Sequence, residues 1–109
     1  MNPHEDAAEA VVEHAQSIAR LDPHLSARAW SEALAGHVRA IRLLAASYVG
    51  ASIDRPFYKA LKSASLQAEG VFVHTPAGRV ELLVDTRRGQ QRFELWSARE
   101  MRENEAQAR

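Results

Sequence analysis

The hydrophobic period of this chain changes at Gly70. Upstream of it apolar residues recur every three or four positions; downstream they alternate. The first pattern lines one face of a helix and the second lines one face of a strand. The two halves therefore cannot share one kind of secondary structure. The order, helices first and strands second, predicts an α+β fold: three N-terminal helices packed on a three-stranded antiparallel β-meander, with a short C-terminal helix. At 109 residues the length predicts a single domain over 1–109. Within it, 1–69 is the helical half, 70–97 the meander and 98–109 a C-terminal helix or tail.

In the helical half the longest stripe is Trp30, Leu34, His37, Val38, Ile41, Leu44 and Tyr48. Asp22 is placed to cap its helix, Pro23 suits the first turn, where no N–H is needed, and Gly50 stops it. A straight helix over 23–49 would be roughly 40 Å long at 1.5 Å per residue. It either spans the domain or breaks near Gly36. Ahead of it, Ala8, Val11, Val12, Ala15, Ile18 and Ala19 predict a helix over 5–21. Glu5, Asp6 and Glu9 stand in its first turns, where the helix dipole favours acids. The tight corner Leu21-Asp22-Pro23 makes these two helices antiparallel or steeply crossed neighbours. A third helix starts at a cap on Asp54 with Pro56 in its first turn, and ends between Leu66 and Ala68. It buries Phe57, Ala60, Leu61, Ala64 and Ala68.

In the β half, Val71–Thr75, Arg79–Asp85 and Gln91–Trp96 alternate. Pro76-Ala-Gly78 is the first turn, and Arg87-Arg-Gly-Gln90 a four-residue second loop with Gly89 free to take a positive φ. Pairing Val73 with Val80 and Val84 with Phe93 puts Val71, Val73, Val80, Leu82, Val84, Phe93 and Leu95 on one face. It also sets Asp85 opposite Arg92. A one-residue slip would bury charge. The apolar face is expected to pack on the helices. Ser97-Ala-Arg-Glu100 reads as a capping box opening a last helix, about Ala98 to Glu105.

Composition narrows the chemistry. The chain has no cysteine, which removes disulfides, thiolate catalysis and cysteine-based zinc sites. No run approaches 18 apolar residues and the acidic N-terminus lacks an apolar signal core, so the sequence predicts a cytoplasmic protein with no membrane span. Fourteen basic and fourteen acidic side chains cancel, leaving no whole-molecule attraction to nucleic acid. The charge is uneven, however. Residues 1–19 carry Glu5, Asp6, Glu9 and Glu13 without a Lys or Arg, whereas 20–62 are mainly basic. The five histidines show no metal-binding spacing. His37, on the long stripe, reads as a hydrogen-bonded structural histidine. His74 reads as a solvated strand residue, and Glu81 and Glu94 as strand surface. Neither a phosphate loop nor a nucleophile elbow is present, so no catalytic, metal or cofactor residue is assigned.

Two surfaces remain. The outer sheet face would carry Phe72, Leu83 and Trp96, with Arg79 and Arg92 beside them. Aromatic residues with arginine are common anchors of a contact surface. The leading expectation is therefore a small non-enzymatic interaction domain that binds an unknown protein partner, or itself, through that face. The second surface is basic. Arg55, Lys59 and Lys62 share one side of the third helix, and Arg87 and Arg88 crowd the second hairpin. Helix, turn, helix and a hairpin with a basic tip, over residues 42–96, resembles a winged-helix module, with Ala46 and Gly50 at helix-turn-helix spacing. The resemblance implies the alternative of nucleic-acid binding, the second helix of the pair in the major groove and the hairpin on the backbone.

Overall fold

The computed structural model describes residues 2–48, 55–75, 79–97 and 99–103, and for Arg55 the backbone alone. Three helices, α1 (Pro3–Ala19), α2 (Ala27–Ala46) and α3 (Arg55–Leu66), precede three strands, β1 (Val71–His74), β2 (Glu81–Thr86) and β3 (Gly89–Glu94). A short helix, α4, covers residues 99–103. The strands form one antiparallel sheet in the order β1-β2-β3, so the fold is α+β as the period change predicts.

Local hydrogen bonds decide where the helices begin. Asn2 caps α1, its side chain accepting from the His4 N–H (2.9 Å), with Pro3 in the first turn. The second helix starts later than the sequence suggests. Asp22 accepts from the His24 N–H (2.9 Å) and so closes a tight local turn rather than a helix. Ser26 is the cap instead, accepting from the Ala29 N–H at 3.1 Å. The helix then runs unbroken through Gly36 to Ala46. The Tyr48 hydroxyl donates to the Pro3 carbonyl oxygen (3.2 Å), setting the end of α2 beside the start of α1. The two helices are thus antiparallel. The capping box is fully formed: the Ser97 N–H donates to Glu100 Oε2 (3.1 Å) and the Glu100 N–H to Ser97 Oγ (3.0 Å). The expected cap at Asp54, stop at Gly50, turn over 76–78, and the Ala98 and Glu105 ends of the last helix lie outside the described residues.

Both strand ladders differ from the expected register by two residues. Val73 pairs with Leu82 rather than Val80, and Leu82 with Phe93 rather than Val84 with Phe93. The second hairpin has a two-residue loop, Arg87-Arg88, closed by the pair Thr86 and Gly89. Gly89 has φ +106°, a conformation open mainly to glycine. Thr86 Oγ1 fastens this turn, donating to the Gly89 carbonyl (2.6 Å) and accepting from the Arg88 N–H (3.1 Å). Asp85 consequently faces Gln90, whose Nε2 donates to Asp85 Oδ1 (3.0 Å), and not Arg92. Because the side-chain period is two, a two-residue shift leaves every strand residue on its predicted face. Val71, Val80, Leu82, Val84 and Leu95 are buried, and Val73 and Phe93 pack partly buried against the same core.

That core joins the helices to the inner sheet face through Val11, Ile18, Ile41, Phe57, Leu61 and Leu82. At one end it finishes in a row of rings. Tyr48 stacks on Phe57 (centroids 4.5 Å apart), and Phe57 meets Trp96 at 6.5 Å, tilted by 52°. Trp96 is therefore not on the outer sheet face. It is 3% exposed, and its indole Nε1–H donates to the Ala45 carbonyl oxygen near the end of α2 (2.8 Å). The reason is local: β3 ends at Glu94, so strand alternation no longer governs Leu95 and Trp96, and both turn inward ahead of the capping box.

Candidate interaction surface at the β1 edge

With Trp96 in the core, the outer sheet face is rearranged. Its cross-strand rows are Phe72, Leu83, Arg92 and His74, Glu81, Glu94. Phe72 is 49% exposed, Leu83 half-buried, and Arg79 and Arg92 exposed. Arg79 Nη1 pairs with Glu94 Oε1 at 2.9 Å. Glu81 is not the solvated surface group its position in the strand suggests. It is 6% exposed, with Oε2 lying 3.6 Å from His74 Nδ1 and 3.7 Å from Arg92 Nε. A carboxylate lying beside the Arg92 guanidinium and opposite Glu94 is drawn toward the cation and away from its own kind. His74 itself is half-exposed, as expected for a strand residue facing solvent.

The basic residues are divided between places. Lys59 and Lys62 are exposed on α3, Lys62 Nζ standing 5.6 Å from the centre of the Tyr58 ring. Arg55 opens α3, and its side chain lies outside the description. Arg87 is exposed at the hairpin tip. Arg88 is bound internally: its guanidinium lies 4.6 Å from the centre of the Trp30 ring and donates to the Pro23 (2.7 Å) and Leu25 carbonyls. It fastens the hairpin tip to the corner between α1 and α2. Because the helix starts late, the Pro23 and Leu25 carbonyls lie outside its ladder and are left for Arg88, which the sequence pattern does not reveal.

The histidines that the sequence singles out find partners. His14 Nδ1 on α1 and His37 Nδ1 on α2 lie 3.1 Å apart, so one ring donates to the other. Burial, and then the neighbouring His14, hold the His37 imidazole below the ordinary histidine pKa. The unfolded chain then binds more protons than the folded one below the ordinary value of about 6.5. Stability is complete above that pH, falls as pH drops through it, and levels off below the folded value. Urea midpoints measured from pH 7.5 to 5 are expected to fall for the native chain, and to fall less for His37→Gln. Among the described residues no three His, Cys, Asp or Glu side chains gather as a metal-binding group, and no helix is long and apolar enough to cross a membrane.

Among the described residues the large exposed hydrophobic side chains are Leu43 on α2, and Leu66 and Phe72 beside β1. Leu66, at the end of α3, is 85% exposed. With Lys62, Val71, Phe72 and Val73 it lines an open groove of about 210 Å³. β1 is an edge strand, paired only with β2 among the described residues. The Asp85 N–H donates to the Gly70 carbonyl (2.8 Å). Antiparallel pairing alternates, so Phe72 and His74 turn their backbone groups to β2, while Val71 and Val73 turn theirs to the open side. An exposed aromatic, an exposed leucine, a groove and backbone groups turned away from β2 thus meet at one place. Sequence reasoning finds Phe72 but not Leu66, whose place beside β1 depends on where α3 ends. Compared with protein-family profiles, curated proteins and solved structures, the chain matches none.

Proposed function

We propose that this chain is a non-enzymatic interaction domain that binds a polypeptide partner through the edge and outer face of β1, centred on Phe72. One observation carries the reading: two of the large exposed hydrophobic side chains, Leu66 and Phe72, line the same groove along an edge strand. Contiguous exposed apolar groups of this kind mark contact sites more often than isolated ones do. A strand edge beside a groove suits an extended partner, whose backbone joins the sheet while alternate side chains enter the groove. Phe72 and Leu83 of the expected patch belong to this surface and Arg92 borders it; Trp96 does not.

The test is selection of displayed random peptides on the native chain and on Phe72→Lys. The native chain is expected to retain extended sequences with alternating apolar residues, and the variant to lose them. Equal retention by both, or no retention by a native chain that is also monomeric, rejects the reading.

A further inference from the structure

We propose that the partner at this edge is a second copy of the chain, joined by antiparallel pairing of β1 with β1 about a two-fold axis at Phe72. The inference rests on reading the β1 edge as a docking surface, and it names the occupant.

The two edges of the sheet are unlike. The open side of β3 belongs to Gln90, Arg92 and Glu94, and Arg42 Nε on α2 donates to the Glu94 carbonyl at 3.1 Å. Charged side chains and a covering arginine are devices that keep an edge from pairing. β1 has neither. Its sequence, Val-Phe-Val-His, carries no formal charge with the histidine neutral. The β1 strands of two copies can then lie together without like charges on the strands themselves meeting.

The register follows from which backbone groups turn away from β2. With the axis at Phe72, Val71 of each copy exchanges both hydrogen bonds with Val73 of the other, giving four in all. The two Phe72 residues then stand directly opposite, at a non-hydrogen-bonded position where side chains come closest. Each half-exposed ring is covered by its twin. The ladder stops at Gly70, whose φ of +77° takes the backbone out of the strand. Beyond it, the Glu69 end of each strand runs past the His74 end of the other, so the two Glu69 carboxylates are kept apart. Below the sheet the axis brings the last turns of the two α3 helices together, and Leu66 of each copy covers the groove of the other. The product is one six-stranded sheet in the order β3-β2-β1-β1-β2-β3. The contact is small, which makes the dimer weak and concentration-dependent.

Sedimentation velocity on the full chain from about 10 μM to about 1 mM tests this. The native chain is expected to shift from monomer toward dimer across that range. Phe72→Lys, which brings two charges face to face, and Val73→Pro, which removes an outward N–H, are expected to remain monomeric with native circular dichroism. Phe72 is half-exposed, so its variant decides the matter if Val73→Pro does not fold. Amide exchange at Val71 and Val73 is expected to slow in concentrated samples and to recover on dilution. A chain that is monomeric throughout overturns the proposal, and so does a dimer that Phe72→Lys leaves intact. A monomer that still selects peptides through Phe72 overturns self-pairing alone. A chain that neither associates nor selects peptides ends the docking reading as well.

Discussion

Trp96→Ala is expected to remove about 3–5 kcal/mol of folding stability, the range for deleting a large buried aromatic side chain. For a protein whose total is about 5–15 kcal/mol, that is a large share. Three losses combine. The side chain is 3% exposed, so nearly all its contacts disappear. Phe57 loses its tilted ring neighbour and the row of rings from Tyr48 is left open at one end. The Ala45 carbonyl loses its indole donor, though the Tyr48 N–H still reaches it at 2.9 Å. Trp96→Phe separates these terms: it keeps a ring and loses the donor and part of the volume, at a cost of about 1–2 kcal/mol. Urea denaturation followed by circular dichroism reads both. A solvent-facing Trp96 would make the alanine variant nearly neutral, within about 0.5 kcal/mol. That result would return the residue to the outer sheet face.

The second large effect compares neighbours. Leu82 is fully buried at the centre of the inner sheet face, between Val73 on β1 and Phe93 on β3. Leu83 faces the other way, half-buried between Phe72 and Arg92. Leu82→Ala is expected to cost about 2–5 kcal/mol. Leu83→Ala is expected to cost under about 1 kcal/mol, because the site is open and can relax. Similar midpoints for the two variants, or the reverse order, would mean that the sheet presents its other face to the helices.

Alternation is why the sheet faces were legible and the register was not. Val71, Val73, Leu82, Val84 and Phe93 keep their side of the sheet under any even shift, so hydrophobic pattern alone cannot tell a two-residue loop from a four-residue one. The choice fell to Thr86, whose hydroxyl bonds both Arg88 and Gly89, and to Gly89's positive φ. The start of α2 failed for a related reason. Asp22 and Ser26 are both good caps, and which one opens the helix depended on whether Asp22 was already engaged by the His24 N–H.

The candidate surface was legible only in part. Phe72 stands out because an aromatic on the solvent side of a strand breaks the polar pattern. Leu66 lies off the buried stripe of α3, four residues after Lys62 and seven after Lys59, so its exposure follows from spacing; that it stands beside β1 does not. Trp96 misled because alternation was carried past the end of the strand, although the adjoining capping box already marked a change of direction. Arg88 offered nothing in sequence to distinguish it from Arg87; the late start of α2 left carbonyls at Pro23 and Leu25 for one of them to bind.

Sequence alone thus determined the kinds of element, their order and which strand residues face inward, because these follow from periodicity within a few residues. Tertiary structure decided which cap opens α2, which arginine is spent internally and where Trp96 goes. Each of those outcomes depends on a group far along the chain arriving at a donor, a carbonyl or a cavity, and no local pattern records that arrival.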